Sequence, residues 1–263
     1  MMSGAPSQIG APRSCSEVVR VDPAKSSWAA PGYAGESMSV HHMTRRSLLQ
    51  AAALSAGGVV VGGIPALAQS AEALRETPNV TLGPFYPLAK PEDQDPDLTM
   101  VRGRSGVAAG QVFVVSGFVR NRRGEPVKGG TIEVWQANTY GKYGHPSDHN
   151  TAAPLDPNFE GYAVVRTDEE GRYRFRTIKP GAYPAFDGDW MRAPHIHFDV
   201  RGRYDRKVTQ MYFPDEALNS QDRVFQAVRR NEVLIASVSR PSPDQTAGTE
   251  EYSATWDIIL GSG

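Results

Sequence analysis

Two histidines one residue apart and two tyrosines upstream of them are the side chains in this sequence with the most chemistry to offer. The histidines are His195 and His197 in RAPHIHFDV; the tyrosines are Tyr143 in WQANTYGKY and Tyr183 in IKPGAYP. RAPHIHFDV reads as a β-strand, in which successive side chains alternate faces, so His195 and His197 point the same way. Two imidazoles on one face form half of a metal site. Each tyrosine closes a stretch that reads as a strand running into a loop. Two neutral nitrogens with two phenolate oxygens suit a hard, trivalent, redox-active ion. Iron(III) is the natural choice, because phenolate already ligates iron in some haem proteins.

Other readings of the same residues stay open at this point. Either tyrosine could be a packing residue, and the histidines a surface pair on an edge strand. An H-x-H pair could also hold hydrolytic zinc, although catalytic zinc takes His, Cys or carboxylate rather than paired tyrosines. Asp199 extends the alternation and suggests a two-histidine, one-carboxylate iron(II) triad. Three same-face positions span ~13 Å at ~3.3 Å per residue, too far to wrap one ion, so Asp199 is expected to be structural. His145 and His149 follow Tyr143 in a polar loop and are expected to be exposed or near a cleft mouth. Arg192, three residues before His195, carries a fixed charge and many donors, suited to stabilising a developing anion; the plain alternative is a surface salt bridge.

The elements that must position these groups read as follows. The chain has 263 residues, 40% hydrophobic and 22% charged, with formal net charge −1. That balance points to neither nucleic acid nor an anionic membrane as partner. Arg45-Arg46, an apolar run over 51–67 and the A-x-A sequence Ala66-Leu67-Ala68 together read as a twin-arginine export signal. A membrane anchor is the competing reading, but the run is short and glycine-rich for a ~20-residue span. Residues 1–68 are therefore assigned as leader and signal, with translation starting at Met1, Met38 or Met43. The single cysteine, Cys15, falls in the removed part, leaving a thiol-free, disulfide-free protein in the periplasm or outside the cell, with no stable membrane insertion.

Residues 69–108 hold Pro78, Pro84, Pro87, Pro91 and Pro96 and read as an extended arm. From 109 to 263 short β-rich segments recur between turn signals, with strands expected near 112–120, 130–137, 162–167, 172–178, 195–201, 207–213 and 253–260. One helix is expected over 220–230, where Val224, Ala227 and Val228 share a face. The fold class is all-β: a single antiparallel β-sandwich with long loops and an extended N-terminal arm.

Over residues 81–214 the sequence resembles the intradiol ring-cleavage dioxygenases, closest to the catalytic (beta) chain of the protocatechuate 3,4-dioxygenase type. The resemblance rests on TLGPFYP, GGTIEVWQANTYGKYGHPSD, APLDPNFEGY, GRYRFRTIKPGAYP, RAPHIHFDV and TQMYF in that order. It implies a β-sandwich and a non-haem iron(III) held by Tyr143, Tyr183, His195 and His197. The implied reaction cleaves a small aromatic diol with O2 between its two hydroxylated carbons, giving a cis,cis-muconate. Tyr183 would leave the metal as substrate binds and accept a substrate proton. Arg192 falls on an arginine beside the iron, although the order here is Arg-Ala-Pro-His where the family has Arg-Pro-Ala-His. Gln210 matches a glutamine near the bound substrate, Trp135 a tryptophan packed by the site, and Tyr212 shares the Gln210 strand face and is expected to line the cleft. Ala185, followed by Phe186, stands where the family has an aromatic residue, which reshapes one wall. The arm in place of a helical dimerisation segment favours the protocatechuate branch, either paired with a homologous chain or as a homo-oligomer. An exported, non-catalytic β-sandwich binding module is the alternative.

Overall fold

Buried and half-buried positions alternate along the whole of Val112–Arg120 (β1), the signature of a strand with one face on a core. The computed structural model describes residues 73–186, 189–241 and 250–263. The leader, the export signal and Cys15 lie outside the described residues. After β1 come Thr131–Trp135 (β2), Tyr162–Arg166 (β3), Arg172–Ile178 (β4), the pair Tyr183–Pro184 (β5) and Met191–Arg192 (β6), His195–Arg201 (β7) and Arg206–Tyr212 (β8). A five-residue helix, Arg223–Ala227 (α1), precedes Ser237–Ser239 (β9), Tyr252–Thr255 (β10) and Ile258–Ile259 (β11).

Two sheets form the sandwich expected from the sequence. One is ordered β3-β2-β7-β8 and is antiparallel throughout. In the other, β1 pairs antiparallel with β4 and parallel with β10 and then β11. The parallel pairs arise because the chain returns to β1 from far along the sequence rather than by a hairpin. The strand expected near 253–260 is thus two short strands. They are broken where Trp256 N donates to Ser116 O and Asp257 Oδ1 accepts from Phe118 N.

Between the sheets lies an apolar core in which Phe198 meets the rings of Phe175 at 5.9 Å and Trp256 at 5.0 Å. Burying each such side chain contributes about 1.5–3 kcal/mol. Ile196, Phe198 and Val200 supply the core face of β7, which leaves His195, His197 and Asp199 on the opposite face. That second face is also covered. Residues 73–108 contain no helix or regular strand, and their 80–86 part runs over it, fixed by Val80 N to Val208 O at 2.8 Å and by Gln210 Nε2 to Thr81 O at 2.9 Å.

The helix expected over 220–230 is corrected to α1 alone. Asp222 caps its start, Val228 is already extended at ψ 120°, and Arg230 is left-handed at φ 64°. The shared apolar face that suggested a longer helix belongs to a turn of helix plus an irregular segment packed on the core. No helix among the described residues is long and apolar enough to cross a membrane.

Candidate metal centre and active site

Strand register brings the singled-out residues together. His197 lies directly between Trp135 on β2 and Gln210 on β8, and His195 lies beside Tyr212. The β5–β6 pair, too short to be read from sequence, sets Tyr183 opposite Arg192. Tyr143 enters from the loop after β2, which Asp148 folds back by accepting from Tyr143 N at 2.7 Å.

Three donor atoms converge. Tyr183 Oη is 3.2 Å from His195 Nε2, which is 3.2 Å from His197 Nε2. The Tyr143 ring stands edge-on to Tyr183 at 5.3 Å, and its hydroxyl is buried with no hydrogen-bond partner among the described residues. His195 Nδ1 lies 2.6 Å from the Ala193 carbonyl, which places the proton there and the lone pair on Nε2, facing the cluster. The Trp135 ring lies nearly parallel to His197 at 4.8 Å and fixes its plane. His197 Nδ1 has no partner among the described residues.

Electrostatics make this group anomalous as packing. All four residues are at most 5% exposed. Burial, then the Arg192 charge, hold both imidazoles far below their usual pKa, so both are neutral. Burial raises the Tyr143 hydroxyl well above the usual phenol range, and it raises Tyr183 despite the opposing Arg192 charge. A core that buries two imidazoles and two phenols while leaving the Tyr143 hydroxyl and His197 Nδ1 without partners among the described residues is uphill unless something binds there. A cation fits: donors around an ion with bonds of ~2.1 Å sit about 3 Å apart, and phenols forced to ionise suit a highly charged, hard ion. The residues present therefore fit the iron(III) expected of them.

Arg192 is 5% exposed, so it is not a surface salt bridge. Its Nη2 donates to Gln210 Oε1 at 2.8 Å and Tyr212 Oη at 3.1 Å, and its Nη1 lies 3.4 Å from Tyr183 Oη. Its Nε is held by Asp222, a residue the sequence reading missed. The only signal for Asp222 was an acid just before a helix, hidden because the helix was set to begin at 220.

One expectation is corrected. Tyr212 was expected to line the cleft, but it is fully buried, with its ring stacked 5.4 Å from His195 and its hydroxyl engaged by Gln210 and Arg192. It backs the site. Gln210, expected beside the substrate, lies next to His197 on β8, with its carbonyl oxygen on Arg192 and Tyr212 and its amide holding the arm at Thr81. Trp135, 1% exposed, likewise supports His197. Asp199 is taken by Arg201 at 2.7 Å and Arg206 at 2.8 Å, away from the histidine donors. Ala185 is buried at the start of the β5–β6 turn, and Phe186 is 77% exposed, so it does not fill the space. His149 is exposed and His145 half-buried.

The arm closes the centre. Gly83 has φ +75°, and a Cβ there would come within 3.1 Å of His197 Cε1. Phe85 lies 4.6 Å from Tyr143 and 5.9 Å from Tyr183. Tyr86 stands edge-on to Trp135 at 5.0 Å, and its hydroxyl joins Glu133, Lys90 and Tyr162 in a polar cluster that clamps the arm to β2 and β3. Gly83→Ala is expected to cost about 1–2 kcal/mol from its left-handed backbone alone. By pushing on His197 it should also weaken metal retention, read from melting temperature and metal content.

A cavity of about 390 Å³ lies against Tyr143 and Trp135, walled by Phe85, Leu155, Phe159 and Glu160. Tyr183, Arg192, His195 and Gln210 do not line it, so the donor cluster, not this cavity, defines the centre. Burial, then Asp93 and Asp95, push the Glu160 carboxyl up to about 7, with Arg104 opposing. In the unfolded chain it titrates near 4.3. The folded state thus holds this proton to higher pH, and stability falls between about pH 4 and 7. Glu160→Gln is expected to leave the melting temperature unchanged at pH 4 and raise it by about 2–4 °C at pH 8.

Comparison with known proteins gives the family. Residues 82–262 match the Dioxygenase family. The protocatechuate 3,4-dioxygenase beta chain of Burkholderia cepacia is 43% identical over 183 residues, 67% of this chain and 77% of that one. The hydroxyquinol 1,2-dioxygenase of a Rhizobium species is 30% identical over 191 residues, 68% of this chain and 60% of that one. Among solved structures, the dioxygenase domain of a carbohydrate-binding fusion protein from Streptomyces sp. SirexAA-E superposes with TM-score 0.53 at 26% identity. That match covers 72% of this chain and all of that domain. The catechol 1,2-dioxygenase of Pseudomonas arvilla C-1 superposes with TM-score 0.54 at 25% identity, over 71% of this chain and 62% of that one. The chain is an enzyme that belongs to the intradiol ring-cleavage dioxygenase family.

Proposed function

We propose that the chain is an iron(III) enzyme that cleaves a protocatechuate-like catechol with O2 between its two hydroxylated carbons, giving a cis,cis-muconate. One observation carries the reading: buried donors of Tyr183, His195 and His197 converge at 3.2 Å beside an unpartnered Tyr143 hydroxyl. Those four residues would hold the metal. Iron(III), when bound, supplies Lewis-acid withdrawal of electron density from a catecholate and a route for electrons to dioxygen.

The chain's own residues do the rest. Tyr183 Oη sits between His195 Nε2 and Arg192 Nη1, placed to take a proton from an incoming catechol hydroxyl. Arg192 keeps its Nη1 donors toward that oxygen and stabilises negative charge on the ring oxygens, a contribution of about 3 kcal/mol for a well-placed donor. Gly83 and Phe85 of the arm cover the donors and exclude water. The 43% identity to a protocatechuate 3,4-dioxygenase beta chain supports a protocatechuate-like substrate, and supports pairing with a homologous chain over a homo-oligomer. Export before function follows from the Arg45-Arg46 signal as a further part of the proposal.

The test is a visible spectrum of the iron-loaded protein, before and after anaerobic protocatechuate. A red-brown tyrosinate-to-iron(III) band that shifts with substrate is expected. Protein that stays colourless after iron loading would return Tyr143 and Tyr183 to packing and leave the binding-module reading. A panel including catechol and hydroxyquinol then ranks ring substituents.

A further inference from the structure

We propose that Asp222 is the positioning residue of the active site, turning the Arg192 guanidinium so that its free donors face Tyr183. The inference rests on the function proposed above. A guanidinium has five N–H groups in a rigid fork. Nε of Arg192 is held by Asp222 Oδ2 at 3.0 Å and Oδ1 at 3.3 Å. Nη2 spends its two on Gln210 Oε1 and Tyr212 Oη. Only Nη1 remains, and its contact is Tyr183 Oη at 3.4 Å. Because the fork is planar, fixing Nε fixes where Nη1 points.

Asp222 is fully buried, and its two oxygens divide the work. Oδ1 accepts from Val224 N at 2.9 Å and Phe225 N at 3.1 Å, capping α1. Oδ2 accepts from Arg192 Nε and from Ala193 N at 2.9 Å. The second bond fixes the backbone between Arg192 and His195, whose own Nδ1 proton is held by the Ala193 carbonyl. One carboxylate thus sets both the arginine fork and the peptide that orients a histidine. A residue serving only as a helix cap needs neither contact.

The two roles separate by substitution. Asn and Ser cap helices as well as Asp does. In Asp222→Asn, an oxygen kept on the cap turns the amide N–H toward Arg192 Nε and Ala193 N, donor against donor. In Asp222→Ser the second oxygen is absent.

The experiment uses the full iron-loaded chain with Asp222→Asn and Asp222→Ser, each alone and with Arg192→Lys. It measures melting temperature, anaerobic protocatechuate binding by tryptophan fluorescence, and kcat and KM. Both single variants are expected to stay folded, and kcat to fall about ten- to a hundredfold, the loss of one charged hydrogen bond. In the Arg192→Lys background, which has no fork to turn, the same substitutions should change kcat and affinity less than about twofold. Equal losses in both backgrounds, or no loss in either, overturn the proposal, as does failure of both single variants to fold, which makes Asp222 a structural cap. A wild type that neither binds nor cleaves any catechol overturns the functional reading and this inference with it. An active wild type with additive variants overturns the inference alone.

Discussion

A His197→Ala enzyme is expected to lose its metal and more than about a thousandfold in turnover, at least 4 kcal/mol of barrier. Its metal-free form should nonetheless melt close to the metal-free wild type. His197 in the bare core has a buried Nδ1 with no partner among the described residues, and its Nε2 lies 3.2 Å from His195 Nε2. Removing it frees the buried, unpaired Nδ1, which offsets the lost contact to His195 and the lost Trp135 stack. A ligand therefore shows its loss only when metal is present. A packing histidine would show the reverse: several kcal/mol lost in the bare protein and metal content unchanged. Metal analysis with melting curves in the two forms separates these, and full activity in this variant would sink the ligand assignment.

Arg192→Ala is the second large effect, and it is double. Turnover should fall about 10²–10³-fold, the usual loss when a preorganised donor leaves a water-excluded site, with metal content near wild type. Stability should fall as well, by about 3–5 kcal/mol, because the fully buried Asp222 carboxylate is left without its cation. Adding Asp222→Asn to Arg192→Ala should recover part of that stability and none of the turnover. Recovery of turnover would mean that Arg192 serves the fold and not the reaction.

Much of the centre was legible because its logic is local. The H-x-H spacing fixes a shared face by the period of a strand, and β7 puts the histidines opposite Ile196 and Phe198. The three-residue step from Arg192 to His195 placed the guanidinium near the imidazoles. What failed to show was set by distant contacts. Asp222 reaches Arg192 from 30 residues away, and Gln210 is occupied by an arm 129 residues earlier. Glycine in TLGPFYP signals a turn, but not that the turn crosses His197 at contact distance. The β5–β6 pair has two residues per strand, too few for any periodicity.

The parallel partnership of β1 with β10 and β11 bears on when this protein acquires its shape. Phe113 pairs with Tyr252, and Val119 with Ile258, so the strand that opens the sandwich waits for segments made 139 residues later. Closing so wide a loop costs entropy before any contact repays it, which slows folding. During synthesis β1 has β4 on one side and a bare hydrogen-bonding edge on the other, open until residue 259 clears the ribosome. The nascent chain thus exposes that edge until β10 and β11 are made, and their pairing with β1, not any one motif, is the step that commits the sandwich to its native state.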